Sequence, residues 1–173
     1  LVLQDVQALT TYLALKSSQN QSVIDVKRSQ AQTLIAQTLI AQARAQNLKR
    51  LDLGNCGLTD LEAQVPELFE LEQLEELVLS NKWWDWSVKG WKEAKSQNNG
   101  EPNVLSSIPA AITKLKNLKV LICNGWKQST KRWQIKRIEH LSQLTQLRVL
   151  SLAYNKIGKI EGLNALVNLE WLM

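Results

Sequence analysis

Leucines recur at a fixed spacing from residue 48 to the end of the chain, and no other feature constrains the fold so tightly. The spacing follows the template L-x-x-L-x-L-x-x-(N/C)-x-L-x-x-L. Leu48, Leu51, Leu53, Cys56, Leu58 and Leu61 fill every position of it. Leu147, Leu150, Leu152, Asn155, Ile157 and Ile160 fill it again, with Leu163 and Leu166 continuing at three-residue intervals. Leu74, Leu77 and Leu79 start another copy, as do Leu118, Leu121 and Cys123. Leu169 and Leu172 open a fifth. A period of this kind marks a chain whose units cannot bury an apolar face alone and must stack.

The copies start at residues 48, 74, 118, 147 and 169, and the last interval gives a basic period of 22 residues. The longer intervals contain insertions. After Leu79 the pattern resumes at Leu105 and Ile108, about 21 residues late. After Cys123 it resumes at Ile135 and Ile138, about seven late. Both insertions, at about 82–104 and 126–134, leave the repeat at the same turn. Lys82 and Trp126 therefore stand where the template asks for Asn or Cys.

In L-x-x-L-x-L the alternate residues form a short strand whose leucines point into the core, while the x positions face the other way. The Asn or Cys sits where a small polar side chain can satisfy backbone groups of the turn. Residues 50–53, 76–79, 120–123 and 149–152 are accordingly predicted to lie in one parallel sheet. On these residues the chain resembles leucine-rich-repeat proteins over 48–173. The copy RIEHLSQLTQLRVLSLAYNKIGKIEGL is similar to the short bacterial and phosphatase-regulator subtype. The segment LKRLDLGNCGLTDL, with the tryptophan-rich insertion, resembles the repeats that precede the GTPase unit of Roco proteins. The resemblance implies an α/β fold, a right-handed leucine-rich-repeat solenoid with a parallel concave sheet. No G-x-x-x-x-G-K-[ST] occurs, so any GTPase domain would lie outside the chain.

Residues 1–47 contain no Gly or Pro and are rich in Ala, Gln, Leu and Ile, which favours helix. Leu3, Val6, Leu9 and Leu13 give an apolar face, and AQTLIAQTLIAQ carries a five-residue duplication. A helical N-terminal cap over the open end of the repeats is the expected role, with the tail of an upstream domain as the alternative.

Composition narrows the function. No stretch approaches the roughly 18 apolar residues of a membrane span, and the N-terminus has no secretory signal pattern. Two cysteines and one histidine argue for a reducing, cytoplasmic setting and against a metal site or cofactor. Cys56 and Cys123 fall two copies apart, about 10 Å at normal strand spacing and beyond disulfide reach. His140 has no nucleophile at a recognisable spacing, so no catalytic residues are assigned. The repeat stops in mid-copy at Leu172 and Met173, as expected of a fragment of a longer protein.

What remains is recognition. Six of the seven tryptophans lie in the two insertions: Trp83, Trp84, Trp86 and Trp91 in the first, Trp126 and Trp133 in the second. Tryptophan buries a large area and keeps one donor, which suits binding hot spots. The same residues would serve equally as a small satellite core covering one flank. Val78, Val120, Ile122, Val149 and Trp171 occupy outward strand positions and are expected to form an exposed apolar stripe. Lys127, Lys131, Arg132, Lys136 and Arg137 make a basic patch. It raises nucleic acid as a partner, but the eight acidic groups of residues 51–81, with no basic residue among them, would repel phosphates nearby. The expected function is a non-catalytic protein–protein recognition or scaffolding module, whose partner is another protein or another domain of the same polypeptide. The alternatives are a nucleic-acid-associated module and the regulatory region of an enzyme whose catalytic domain lies elsewhere.

Overall fold

A computed structural model describes the backbone of residues 2–85, 92–125 and 135–173, with side chains from residue 16 onward. The chain is mixed α/β, with one long helix, α1 (Val2–Ala45), and a five-stranded parallel sheet. It divides into two compact units, residues 1–31 and 32–173. The first is helix throughout its described backbone. Residues 16–31 are all exposed, Val23, Ile24 and Val26 among them. The apolar face predicted on Leu3, Val6, Leu9 and Leu13 lies outside the described side chains.

In the second unit the rest of α1 carries Ala36, Ile40 and Ala43 into the core, while Leu34 and Ile35 stay exposed. The five-residue duplication explains the split. Five residues turn a helix through about 140° beyond a full turn, so its two copies cannot share a face. The helix ends where Asn47 takes a left-handed φ of 51° and the Leu48 amide donates back to Ala43 O at 2.9 Å. That contact satisfies a carbonyl the helix would otherwise leave open. Leu48, the first leucine of the template, is left exposed by it.

The sheet comprises β1 (Arg50–Asp52), β2 (Glu76–Val78), β5 (Val120–Ile122), β6 (Val149–Ser151) and β7 (Trp171–Leu172), hydrogen-bonded in that order. Each predicted strand is present and parallel. Leu51, Leu77, Leu121, Leu150 and Leu172 stand in one register row, so equivalent template positions are neighbours across the whole sheet. The first four of these leucines are buried.

Behind the sheet the later template leucines complete one continuous core. Asp60 caps the single-turn helix α2 (Leu61–Gln64) by accepting from Ala63 N, and two 3-10 turns, Pro66–Glu70 and Ala110–Lys114, supply Leu68, Phe69 and Ile112. The fourth copy departs from the expectation. Ile157 and Leu163 are only half-buried, and Ile160 is 67% exposed. Among the described residues only β7 follows the fourth copy in the sheet, so its later positions have no further copy packed over them.

The first insertion is also more ordered than a loop. Lys82–Asp85 (β3) and Lys92–Lys95 (β4) pair as an antiparallel hairpin. Lys82 therefore begins a strand rather than occupying the turn of the second copy. Asn103, at the far end of the insertion, takes that position, and N-V-L-S-S-I (103–108) then continues the template in phase. Its side chain is fully buried. Asn103 Nδ2 donates to Leu53 O at 2.8 Å and Leu79 O at 2.7 Å. Asn155 Nδ2 in the fourth copy donates to Cys123 O at 2.9 Å and Leu152 O at 2.8 Å. These are equivalent carbonyls, one from the same copy and one from the copy before. The two side chains make the same pair of donor bonds, although a 21-residue detour separates Asn103 from the strand of its own copy.

Candidate functional site

The outward face of the sheet carries two register rows, Arg50–Glu76–Val120–Val149–Trp171 and Asp52–Val78–Ile122–Ser151. Val78, Val120, Ile122 and Val149 were expected as an open stripe, and all four are buried, at 4% exposure or less. They form a second apolar cluster, separate from the main core, with Trp83 of β3 and Ala94 of β4 packed into it. The correction has a simple cause. Trp83 and Ala94 are paired across the hairpin, and their shared face lies against the valines. Apolar area removed from water is worth about 25 cal/mol per Å², so covering four such side chains is strongly favoured over leaving them open.

The other side of the hairpin is wet. Trp84 is 49% exposed, and its cross-strand partner is Glu93. Lys82 reaches Glu93 at 3.4 Å, and Lys95 is paired with Lys82. Adjacent tryptophans thus have opposite fates because a strand alternates its faces. Arg50 lies 5.9 Å from the centre of the Trp83 ring, within cation–π range. Trp171, in β7, is 42% exposed, next to Val149 in the ladder.

The hairpin is pinned at its base. Ser96 Oγ donates to Gly54 O at 3.1 Å, and Asn98 Nδ2 donates to Asp52 O at 3.0 Å and Gly54 O at 2.8 Å. Asn55 Nδ2 returns a bond to Asn98 O at 2.9 Å. Gly57 N donates to Glu101 O, and Val104 N donates to Leu58 O. The returning limb therefore runs beside the turn that follows β1. At Gly54 a Cβ would stand 2.2 Å from Ser80 O, a backbone atom, so only glycine permits this approach.

A row of charge borders the face one residue before each strand. Glu75 lies between Lys49, at 3.6 Å, and Lys119, at 2.6 Å, and Arg148 pairs with Glu170 at 2.6 Å. The hydrogen bond from Lys119 holds the Glu75 carboxyl below the usual glutamate range, against the opposing effect of burial and with further help from the charges of Lys119 and Lys49. Each such exposed pair contributes little to stability, but together they order long side chains along the rim.

Of the remaining predicted residues, Lys136 and Arg137 are exposed, and Arg137 pairs with Glu139 at 3.3 Å. Trp86, Trp91, Trp126, Trp133, Lys127, Lys131 and Arg132 lie outside the described residues. His140 is exposed with a left-handed φ of 64°. Cys56 and Cys123 are both buried free thiols. Burial, with a smaller contribution from the Asp52 charge, pushes Cys56 up to about 12, and burial alone raises Cys123. Among the described residues no cluster of His, Cys, Asp and Glu could hold a metal, and no helix is long and apolar enough to cross a membrane.

Sequence reasoning missed a buried polar network under the same face. Asn124 Oδ1 accepts from Ser151 Oγ and from Ala153 N at 3.0 Å, while Asn124 N donates to Ser80 Oγ at 2.6 Å. A small polar residue just past the strand in two adjacent copies, Ser80 and Asn124, was the available signal. No protein-family model matches the sequence, and no curated protein matches it either.

Proposed function

We propose that residues 48–173 are a leucine-rich-repeat solenoid, with the 32–45 part of α1 as its N-terminal cap. The module serves protein–protein recognition in a larger cytoplasmic protein. The repeat reading is supported by the single register row of leucines across five parallel strands and by the matching bonds of Asn103 and Asn155. The cap reading is supported by Ala36, Ile40 and Ala43 in the main core.

The observation that carries the recognition reading is the exposure of Trp84 on a hairpin whose other face packs Trp83 and Ala94 against the sheet. A half-exposed indole among Lys82, Glu93 and Lys95 offers a partner a large apolar area with a charged rim, the usual anatomy of a hot spot. Trp171 extends the same aromatic character to the sheet edge. The partner is a protein, or another domain of the same polypeptide.

The test is quantitative capture with the tagged chain and its Trp84→Ala variant. Once a partner is isolated, the variant should bind it about thirtyfold more weakly, equivalent to about 2 kcal/mol, with an unchanged circular dichroism spectrum. Equal affinity with an equal spectrum would remove Trp84 from the binding face.

A further inference from the structure

Two Asn–Gly pairs occur in the sequence, Asn99–Gly100 and Asn124–Gly125, and the fold treats them in opposite ways. Asn124 and Gly125 are buried just past β5. Asn124 Oδ1 accepts from Ser151 Oγ and from Ala153 N at 3.0 Å, and the Gly125 amide donates to Ala153 O at 2.7 Å. Side chain and following amide are both committed. Asn99 lies on the limb that returns from the hairpin, and it is exposed. Among the described residues its side chain has no hydrogen-bond partner, and the Gly100 amide donates to none.

The residues on either side are tied down. Asn98 Nδ2 donates to Asp52 O and Gly54 O, Asn55 Nδ2 donates to Asn98 O, and Gly57 N donates to Glu101 O at 2.8 Å. Gly100 itself approaches another backbone segment. A Cβ there would stand 2.3 Å from Asn55 O, so packing demands glycine at this position. Glycine leaves its own amide nitrogen unshielded by a side chain. An asparagine with a free carboxamide, followed by such a nitrogen, can close a ring on itself.

We propose that Asn99–Gly100 is a site of spontaneous deamidation in the folded protein, with water as the co-reactant, and that its isoaspartyl product slackens the tie between the returning limb and the turn after β1. The Gly100 nitrogen attacks Asn99 Cγ and gives up its proton. The new C–N bond closes a cyclic succinimide as the Cγ–Nδ2 bond breaks, and ammonia leaves with that proton. Water then opens the ring at either carbonyl. Opening at Cγ gives aspartate. Opening at the backbone carbonyl gives isoaspartate, with the chain rerouted through Cγ and lengthened by a methylene. Both products carry a new carboxylate, and nothing is oxidised or reduced. The added methylene falls between Asn98 and Glu101, whose bonds hold this limb to the turn.

The test incubates the full folded chain in mildly alkaline buffer and follows the tryptic peptides 96–114 and 120–127, with fragment spectra locating the change. Asn99 should deamidate steadily, and the isoaspartate formed there should accept a methyl group from isoaspartyl methyltransferase. Asn124 reacts only through openings that free its buried network, so its rate should be lower by at least about a hundredfold. In guanidinium the two rates should converge. Asn99→Gln should abolish the acidic species that isoelectric focusing resolves from the folded chain, because the longer side chain closes the ring far more slowly. In the isoaspartyl form the Gly57 amide should exchange faster than in the fresh chain. Equal rates at Asn99 and Asn124 in the folded chain overturn the proposal, as does an Asn99 that reacts only in guanidinium. So does an acidic species that persists in Asn99→Gln, since the charge would then arise elsewhere. Unchanged Gly57 exchange after conversion also overturns it, because the added methylene would slacken nothing.

Discussion

Replacing Asn103 with alanine removes four hydrogen bonds at a fully buried site. Its Nδ2 donates to Leu53 O and Leu79 O, and its Oδ1 accepts from Cys56 N at 3.2 Å and Leu58 N at 2.9 Å. All four partners are backbone groups. At about 1 kcal/mol net for each bond, the loss is about 4 kcal/mol, more if the stranded groups stay dry. Asn155→Ala is the internal control. Its side chain makes two described bonds, and its Oδ1 is buried without a partner, so the expected cost is about half as large, roughly 2 kcal/mol. Guanidinium unfolding followed by circular dichroism gives both values from midpoint and slope. Equal costs for the two substitutions would refute the reasoning, as would a loss at Asn103 below about 1 kcal/mol. Either result would mean that Asn103 does not close the second copy.

Leu150→Ala removes a fully buried side chain between neighbouring copies, and its unfolding free energy should fall by about 2–5 kcal/mol. Gly54→Ala should destabilise through a backbone collision with Ser80 O, seen as a lower melting temperature. In a carboxyl NMR titration Glu75 should titrate below the usual glutamate range, and Lys119→Met should bring it back up. Because its folded value is the lower one, the stabilising contribution of Glu75 is present above the unfolded carboxyl value and fades as pH falls through the folded one. Cys56, raised to about 12, and Cys123 should both resist a disulfide reagent at pH 8 in the folded chain and react at once in guanidinium.

The strands and their order were legible because the inward leucines obey one spacing, and a one-residue slip would turn all of them to the wrong face. The hairpin was harder to read. Lys82 and Trp83 alternate faces like any strand, but nothing local says that the inward face finds Val78, Val120 and Ile122 rather than solvent. That pairing is made by residues up to about 40 positions apart in sequence, and it turned an expected open stripe into a covered one. Asn103 was legible in principle. The phase of Leu105 and Ile108 sets the turn position two residues earlier, a step that weighing Lys82 alone leaves untaken. In the 31–42 duplication, the five-residue repeat conflicts with the helical period, and only coordinates show which copy faces inward.

The claim beneath all of this is that the first insertion interrupts a repeat without altering it. Excising residues 82–102 joins Asn81 directly to Asn103 and restores L-x-L-x-x-N-x-L from Leu77 to Leu105. The decisive measurement is hydrogen-exchange protection of Leu51, Leu77, Leu121 and Leu150 in that shortened chain, alongside its denaturant transition. The account predicts one cooperative transition and protection of all four strand amides, with the outward valines now open to bis-ANS. Loss of protection across β1 and β2, with a broad non-cooperative transition, would show that the hairpin is part of what makes the sheet and would contradict it.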